Sequence, residues 1–449
     1  MAQTTSEKNQ LNTDIISIKD LLTLDGLQIP VYQRPYKWKI KNVNQLLDDI
    51  ITHKDKSAYR IGTIVFHKDE MDILNIVDGQ QRSITILLIA LALLENEKIK
   101  KIASKEKYHL VTPNLFSKSP LKNSISKQNI KENYAEIKQR IKEFDFDSLR
   151  FFYDKCQLVK VELSDVSEAF QFFDSQNARG KDLYPHDLLK AFHLREMVTT
   201  TAEQERNAII EEWESLDQNT LERLFEKYLF RIKNWSKGYS ARIFTKNQVD
   251  LFKGISPEIK EPYPFASIYR ISNYFIEGYN QNINRKIDLN HMNFPFQLDQ
   301  AIINGKRFFE FITHYKKMIS ETTNGFIDNN IIKTLNNYPG KFRKGDRYVR
   351  ALFDCCLIFY IDKFGFTEME RAIEKIFIWT YKLRVEHYSI QLATIDNHAL
   401  NEPSLFKIIK EATHPKEVFS TYVTGPYRKI PNPKTTDIVN LFNEMGYEQ

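Results

Sequence analysis

The stretch from Ile76 to Ile86, IVDGQQRSITI, lies between two apolar runs and decides how the N-terminal part of the chain folds. The β-rich run DILNIVDG ends at Asp78 and Gly79, and the apolar block LLIALALL follows. This order predicts a strand, a tight turn and a buried helix that begins near Gln81. Two glutamines and an arginine are not the usual turn residues, so we expect this junction to need hydrogen-bond donors.

The segments around this junction predict an α/β domain. SAYRIGTIVFHKD and DILNIVDG read as a hairpin, and QLVKVEL (157–163) reads as a further strand. NVNQLLDDIITH has helical spacing, with Asn42 as the predicted N-cap. The Lys-rich residues 96–145 predict a loop or insertion on the surface, with the helix ENYAEIKQRIKEF at its end.

Helical periodicity dominates after about residue 200, as in LERLFEKYLFRI and MERAIEKIFIWTYKLRVEHY. Few stretches there have the alternation of a strand. We therefore predict an α+β protein, with an N-terminal α/β domain over residues 1–198 and a mainly α-helical domain over residues 199–449.

The composition is that of a folded protein and excludes a membrane-spanning or disordered one. Apolar residues make up 42% of the 449 residues and charged residues 27%. The net charge of +6 permits a nucleic-acid partner without demanding one. The three cysteines are odd in number and have no metal-ligand spacing, which favours plain core thiols in a reducing, cytoplasmic location.

The junction itself has the chemistry of a phosphate site. Gly79 lets a ligand approach the backbone, Gln80 and Gln81 donate to oxygens, and Arg82 can fork onto a phosphate. The unpaired amides at a helix start also favour anions. The alternative is an ordinary helix start in which Asp78 caps the helix and Arg82 lies on the surface.

Two other segments interleave cations with aromatic or amide groups. Tyr32–Trp38, YQRPYKW, could stack a base and neutralise phosphate, or could be a Pro-rich corner whose rings pack on the core. Asn177–Leu183, NARGKDL, gathers an amide and two cations where a helix ends at Gly180, and the alternative is a helix C-cap.

A fourth segment, FRKGDRYVR from Phe342 to Arg350, is a basic run that opens an apolar helix. Arg347 and Arg350 share a helix face. The candidate nucleic-acid contacts are Arg343, Lys344, Arg347 and Arg350, which could instead bind an interdomain carboxylate.

Three motifs occur in the order seen in a known family. IPVYQRPYKW, IVDGQQRSITILL and FFDSQNARGKDLYPHDLLKAF resemble the DGQQR-motif family, the N-terminal domain family of GmrSD-type, modification-dependent restriction enzymes. Later stretches such as GDRYVRALFD and WTYKLR resemble family members too, so the resemblance covers roughly residues 15–400. It implies a ParB/sulfiredoxin-like fold for the N-terminal domain.

The resemblance also implies a site for a nucleoside triphosphate with Mg²⁺. Gly79 and Arg82 match the family's G-x-x-R segment, and Asn177, Arg179 and Lys181 loosely resemble its second wall. The predicted catalytic residues are Asp78, Gln81 and Arg82, with Asp78 also the metal ligand. The predicted nucleotide-binding residues are Gln33, Arg34, Gly79, Gln80, Arg82, Asn177, Arg179 and Lys181.

The functional prediction is an NTP-hydrolysing, nucleotide-gated subunit of an anti-phage restriction system that acts on modified DNA. Residues 380–449 do not contain the His-Asn-His nuclease core of complete family enzymes, so we expect a separate nuclease subunit. The alternatives are a non-hydrolysing DNA-binding adaptor and a nuclease with a diverged C-terminal site. A homo-oligomer is left open, and no membrane partner is expected.

Overall fold

The computed structural model describes residues 12–30, 33, 35–69, 72–114, 124–163, 184–197, 201–257, 263–282, 284 and 291–447. It confirms the α+β class, because a mixed sheet with helices is followed by a mainly helical region. The chain divides into two compact units, residues 1–183 with 210–215 and residues 184–209 with 216–449.

The first unit is built on a five-stranded mixed sheet in the order β1-β5-β3-β4-β2. The predicted hairpin is confirmed, because β3 and β4 pair antiparallel, whereas β3 pairs parallel with β5. The strands are β1 (Asn12–Ser17), β2 (Leu27–Gln28), β3 (Tyr59–Lys68), β4 (Leu74–Asp78) and β5 (Cys156–Leu163).

Helices cover this sheet and enclose the core. The helices of this unit are α1 (Ile18–Thr23), α2 (Ile40–Thr52), α3 (Gln80–Glu95), α4 (Glu97–Lys105), α5 (Ser124–Arg140) and α6 (Phe146–Arg150), with a 3-10 turn at Ile141–Glu143 and a π-helical turn at Phe151–Lys155. The predicted buried helix after the junction is confirmed, because α3 is apolar on nearly all sides and most of its side chains are buried.

Two local predictions are wrong. Residues 96–145 are not mainly a surface loop, because α4 lies within them and buries Ile99 in the core. The predicted helix at their end is confirmed as part of α5, which already begins at Ser124 and buries Ile137. Lysines on the exposed face of each helix hid this apolar stripe. Asn42 is not the N-cap of α2, since the helix begins at Ile40; its side chain instead accepts a hydrogen bond from the Lys39 amide at 3.2 Å.

The second unit is mainly helical, and its described residues form no strand apart from an isolated bridge between Ile255 and Ile303. Its helices are α7 (Pro185–Arg195), α8 (Glu203–Ser215, whose last six residues belong to the first unit), α9 (Gln218–Glu222), α10 (Phe230–Trp235), α11 (Ala266–Gln281), α12 (Lys306–Asn324), α13 (Asn330–Asn337), α14 (Lys344–Phe364), α15 (Met369–Glu386), α16 (Leu392–Leu400), α17 (Leu405–Glu411), α18 (Pro415–Ser420) and α19 (Thr436–Glu444). A π-helical turn, Arg223–Leu229, joins α9 to α10, and 3-10 turns lie at Lys246–Phe252 and Pro433–Thr435.

The long helix α14 forms the centre of this second core. Cys355 and Cys356 are buried on it as free thiols, and Cys156 is a buried free thiol in β5, as predicted. Burial raises the pKa of the Cys355 thiol to about 12. No helix in the described part of the chain is both long and apolar enough to cross a bilayer.

Candidate functional site

The β4–α3 turn depends on the conformation of Gly79. Its φ of +91° lies in the left-handed region, and a Cβ there would come within 3.2 Å of the Thr63 carbonyl oxygen. Both facts favour glycine at this position. The absence of a side chain lets the turn pack closely against β3. Gly79 is the N-cap of α3, and no side chain of the described residues caps this helix start. The alternative of an Asp78 cap is therefore wrong.

Arg82 lies across the neighbouring strand and not on the open surface. Its Nη1 donates to the Thr63 carbonyl at 3.0 Å. The guanidinium lies so close to Gly62 that a Cβ at that position would be 2.8 Å from its Cζ. Burial lowers the pKa of Arg82, and the nearby charge of Asp78 opposes this shift. The sequence pattern did not reveal Gly62, since its role exists only across the sheet.

Two of the three predicted segments meet in one cavity of about 130 Å³. The residues from the junction and from the extended segment that line it are Gln33, Trp38, Asp78, Gly79, Gln80, Gln81 and Arg82. Tyr32 and Arg34, together with Asn177, Arg179 and Lys181 of the third segment, lie outside the described residues.

Two glutamines, Gln33 of the extended segment and Gln81 of α3, bond to backbone groups and fix the extended segment in place. Gln33 Nε2 donates to the carbonyl oxygens of Ile76 at 3.0 Å and Val77 at 2.7 Å. Gln81 Oε1 accepts from the amides of Lys37 at 2.7 Å and Trp38 at 3.2 Å. These bonds connect a Pro-rich segment, which forms no strand of its own, to β4 and α3.

The aromatic residues of the extended segment divide between the core and the cavity. Tyr36 is fully buried, and its hydroxyl lies 2.8 Å from Thr85 Oγ1 and accepts from Asn133 Nδ2 at 3.0 Å. The core-packing alternative is therefore correct for Tyr36. Trp38 is half-buried and lines the cavity, where its ring is available to a ligand.

Helix α5 contributes to this arrangement in a way the sequence did not predict. Asn129 Nδ2 donates to the Tyr36 carbonyl at 2.7 Å, and Asn133 Nδ2 donates to the Trp38 carbonyl at 2.8 Å. Both asparagines are buried. Their four-residue spacing within a Lys-rich segment is the signal that could have identified them, because it places two amides on one helix face.

The fourth predicted segment lies in the second unit, around a larger cavity of about 800 Å³. Lys344, Arg347 and Arg350 line this cavity. Arg343 pairs with Asp346 at 2.8 Å, and Arg350 pairs with Asp354 at 2.7 Å. Both carboxylates belong to α14 itself, so Arg343 and Arg350 do not pair with the suggested interdomain carboxylate.

No group of three or more His, Cys, Asp and Glu side chains within the described ranges is placed to hold a metal ion. Asp78 is the single carboxylate among the described residues that line the smaller cavity. A single carboxylate suits Mg²⁺ that arrives bound to substrate phosphates, because this ion retains several water ligands and needs few ligands from the protein.

Sequence comparison agrees with the motifs. Residues 18–194 match the family described as GmrSD restriction endonuclease, N-terminal domain. Residues 205–437, just over half of the chain, match the family described as Family of unknown function (DUF7834). No curated protein matches the chain. The chain therefore belongs to the DUF7834 family, and its residues 18–194 form a GmrSD-type N-terminal domain.

Proposed function

We propose that this protein is the nucleotide-binding and nucleotide-hydrolysing subunit of an anti-phage, modification-dependent DNA restriction system. The GmrSD-type domain indicates a restriction-system component. The observation that carries the nucleotide proposal is the start of α3, which no described side chain caps and which lines one cavity with Arg82 and Gln33.

The phosphates are held at this helix start. Its free backbone amides and the positive end of its dipole attract an anion, and Gly79 allows the ligand to approach them. Arg82 keeps guanidinium donors beyond the one bonded to Thr63, and they pair with phosphate oxygens. Gln80 adds an amide, and Trp38 offers a ring face.

The cavity of about 130 Å³ corresponds to the phosphate end of the ligand. Sites for whole small molecules run to roughly 300–1,000 Å³. In this proposal Arg34, Asn177, Arg179 and Lys181 supply the remaining wall. Gln33 and Gln81 act mainly by positioning the extended segment through bonds to the backbone, rather than by contacting the phosphates directly.

Hydrolysis follows from positioning and charge stabilisation, as in other phosphoryl transfers. Asp78 holds the Mg²⁺ that accompanies the nucleotide, and the metal neutralises charge on the phosphates when bound. Arg82 stabilises the negative charge that develops on the transferred phosphoryl group. Asp78 orients the attacking water, and Gln81 contributes through the position it gives the extended segment.

Nucleotide state then gates the action on DNA, which a separate nuclease subunit cleaves. A second candidate function, a non-hydrolysing DNA-binding adaptor, is favoured by the exposed Lys344 and Arg347, which make no hydrogen bond or ion pair with described residues. Steep loss of DNA affinity with salt, without any nucleotide binding, would select the adaptor.

The decisive experiment compares Arg82→Gln with Arg60→Gln. Arg60 lies on β3 as well but is exposed, so its substitution removes the same charge away from the cavity. Binding and turnover of four NTPs with Mg²⁺ are measured, with and without modified DNA. Loss of charge-assisted bonds of about 1.5–3 kcal/mol each should weaken binding by roughly 100-fold in Arg82→Gln only.

Affinity and turnover within about threefold of wild type in Arg82→Gln would show that the assignment is wrong. Circular dichroism of both variants separates loss of the site from loss of the fold.

A further inference from the structure

The larger cavity in the second unit is strongly basic. Its wall combines the π-helical turn, α10 and the start of α14. Its described lining residues include no aspartate or glutamate. The cationic residues that line it are Arg223, Lys227, Arg231, Lys341, Lys344, Arg347 and Arg350.

Only part of this charge is neutralised by the protein. Asp354 lies 3.4 Å from Lys227 Nζ and accepts from Arg350 Nε at 2.7 Å. One carboxylate thus serves two cations. Lys344 and Arg347 are exposed at the rim and form no ion pair within the described residues. The cavity therefore keeps a substantial positive charge.

Among the cations that line the cavity, Arg231 gives the clearest indication that an anion binds there. It is only 6% exposed and lines the cavity, and its side chain makes no hydrogen bond or ion pair with a described residue. Its described neighbours include the Trp235 ring, whose centroid lies 6.0 Å from Cζ, and the charge of Glu226. Its Nε is fully buried without an acceptor. An arginine does not lose its proton in a protein, and a ring face with a carboxylate beyond hydrogen-bond distance compensates its buried charge less fully than a directly bonded anion would.

The backbone presents these cations on one wall. Arg223, Lys227 and Arg231 recur every four residues through the π-helical turn and into α10. Such turns are rare and frequently occur at functional sites. Lys227 and Arg223 also contact the Tyr228 hydroxyl, at 2.8 Å and 3.4 Å, which restrains their positions.

We propose that this cavity binds a phosphorylated small molecule of the nucleotide class, at a site separate from the one at Gly79–Arg82. Its volume of about 800 Å³ lies within the roughly 300–1,000 Å³ of small-molecule sites. The half-buried Tyr348 and the exposed Phe342 line it too and offer ring faces to a base. Duplex DNA reaches the rim cations, whereas the buried Arg231 selects a ligand that enters the cavity.

The test uses the full-length chain and titrates inorganic tripolyphosphate and the four NTPs by calorimetry. Arg231→Met removes the charge and keeps the length of the side chain, and Arg347→Gln removes a rim charge. Arg428→Gln is the matched control, because Arg428 is exposed and does not line the cavity. We expect about 10- to 100-fold weaker binding in Arg231→Met and a smaller loss in Arg347→Gln.

A second measurement separates ligand binding from a structural role. Removing a buried charge that forms no ion pair within the described residues should leave unchanged or raise the melting temperature of the ligand-free protein in Arg231→Met, and should abolish the rise that tripolyphosphate causes in wild type. The same titrations on Arg82→Gln should lose the binding step that belongs to the site at Gly79–Arg82 and should retain the step that belongs to this cavity, which distinguishes the two sites.

Four results would overturn the proposal. One is the absence of saturable binding of every probe by wild type. Another is an affinity within threefold of wild type in both Arg231→Met and Arg347→Gln. The third is a lowered melting temperature of ligand-free Arg231→Met. The last is loss of 20-mer single-stranded or duplex DNA binding in Arg231→Met, with tripolyphosphate and NTP binding unchanged.

Discussion

At the residue scale, the candidate site depends on a glycine that lies outside the motif. Gly62 has a φ of +145° and leaves room for the Arg82 guanidinium to lie against β3. Strand β3 thereby holds the Arg82 guanidinium by one hydrogen bond to the Thr63 carbonyl. The other N–H groups of the guanidinium remain available where Arg82 lines the cavity. Strand β3 therefore matters for anion binding, although it carries none of the predicted ligands.

Gly62→Ala should displace Arg82, since the new Cβ would be 2.8 Å from its Cζ. We expect about 2–3 kcal/mol lower unfolding free energy and at least tenfold weaker NTP binding, measured by urea denaturation and calorimetry. The control is Gly238→Ala, which has a φ of +77° but nothing within 4 Å. It should cost about 1 kcal/mol and leave binding unchanged. Equal effects of the two substitutions would contradict the packing argument.

The buried His193 predicts acid sensitivity. Its Nδ1 accepts from the Gly305 amide at 3.1 Å, its Nε2 lies 3.0 Å from the Phe252 carbonyl, and its ring stacks on Phe308 at 3.8 Å. Burial lowers its pKa to about 3, opposed by the bond to Phe252, while the charges of Lys253 and Arg195 lower it further. Both ring nitrogens are engaged in the neutral form, so a second proton would break the bond from Gly305.

Because the folded-state pKa is below the unfolded one, the unfolded chain binds more protons at mildly acidic pH. Stability should therefore fall as pH drops below about 6.5 toward 3. Between pH 7 and 5 the loss from His193 should be about 2 kcal/mol. Denaturant titrations at both pH values should show a smaller difference in His193→Gln. The exposed His109→Gln should behave as wild type. An unchanged pH dependence in His193→Gln would disprove this assignment.

At the scale of elements, side-chain amides replace the backbone pairing that a strand would provide. The segment from Pro35 to Lys39 belongs to no helix or strand. Its amides and carbonyls bond instead to Gln81 of α3 and to Asn129 and Asn133 of α5. Two helices therefore set the position of Trp38 beside the start of α3.

Gln81→Leu should release this segment. The substitution removes bonds to the Lys37 and Trp38 amides and to the Pro35 carbonyl, for about 2–4 kcal/mol in total at about 1 kcal/mol each. Hydrogen exchange at residues 37 and 38 should accelerate, and urea denaturation should show the lost stability. Gln128→Leu on α5 is the control, since Gln128 is exposed and should change stability by less than about 0.5 kcal/mol. Unchanged exchange at residues 37 and 38 would exclude this role for Gln81.

At the scale of the whole molecule, the chain consists of two units with separate cores. The first core surrounds α3 and the sheet, and the second surrounds α14. Each unit contains its own candidate anion cavity. A ligand that binds one unit should therefore act first on the stability of that unit.

Thermal unfolding of Arg231→Met, whose cavity in the second unit is impaired, should show two transitions, of which Mg²⁺ with NTP raises the one that belongs to the first unit. At a ligand concentration of about 100 times Kd, the stabilisation should be about 2.7 kcal/mol. Calorimetry measures the transitions, and hydrogen exchange of α3 and α14 assigns them. Arg82→Gln should lose the shift of the first-unit transition. A single transition that follows both helices together would contradict two independently unfolding units.

The α+β class, the hairpin, the buried helix and the family were all readable from local patterns. Alternating residues predict β3 and β4, an apolar block predicts α3, and the DGQQR stretch identifies the junction. These features depend on neighbours in sequence, so periodicity and turn residues determine them. Helix α4 and the first part of α5 were missed because polar residues there outnumber the few apolar residues that reach the core.

The amino-acid sequence by itself determined the elements, the family and the residues that carry charge or amide groups. Only the tertiary structure decided which of these residues meet. It placed Gly62 under Arg82, engaged Gln33 and Gln81 with the backbone, buried Tyr36, and left the buried Nε of Arg231 without an acceptor among the described residues. The physical reason is that hydrogen bonding and desolvation depend on neighbours across the fold, whereas helices and strands depend mainly on neighbours along the chain.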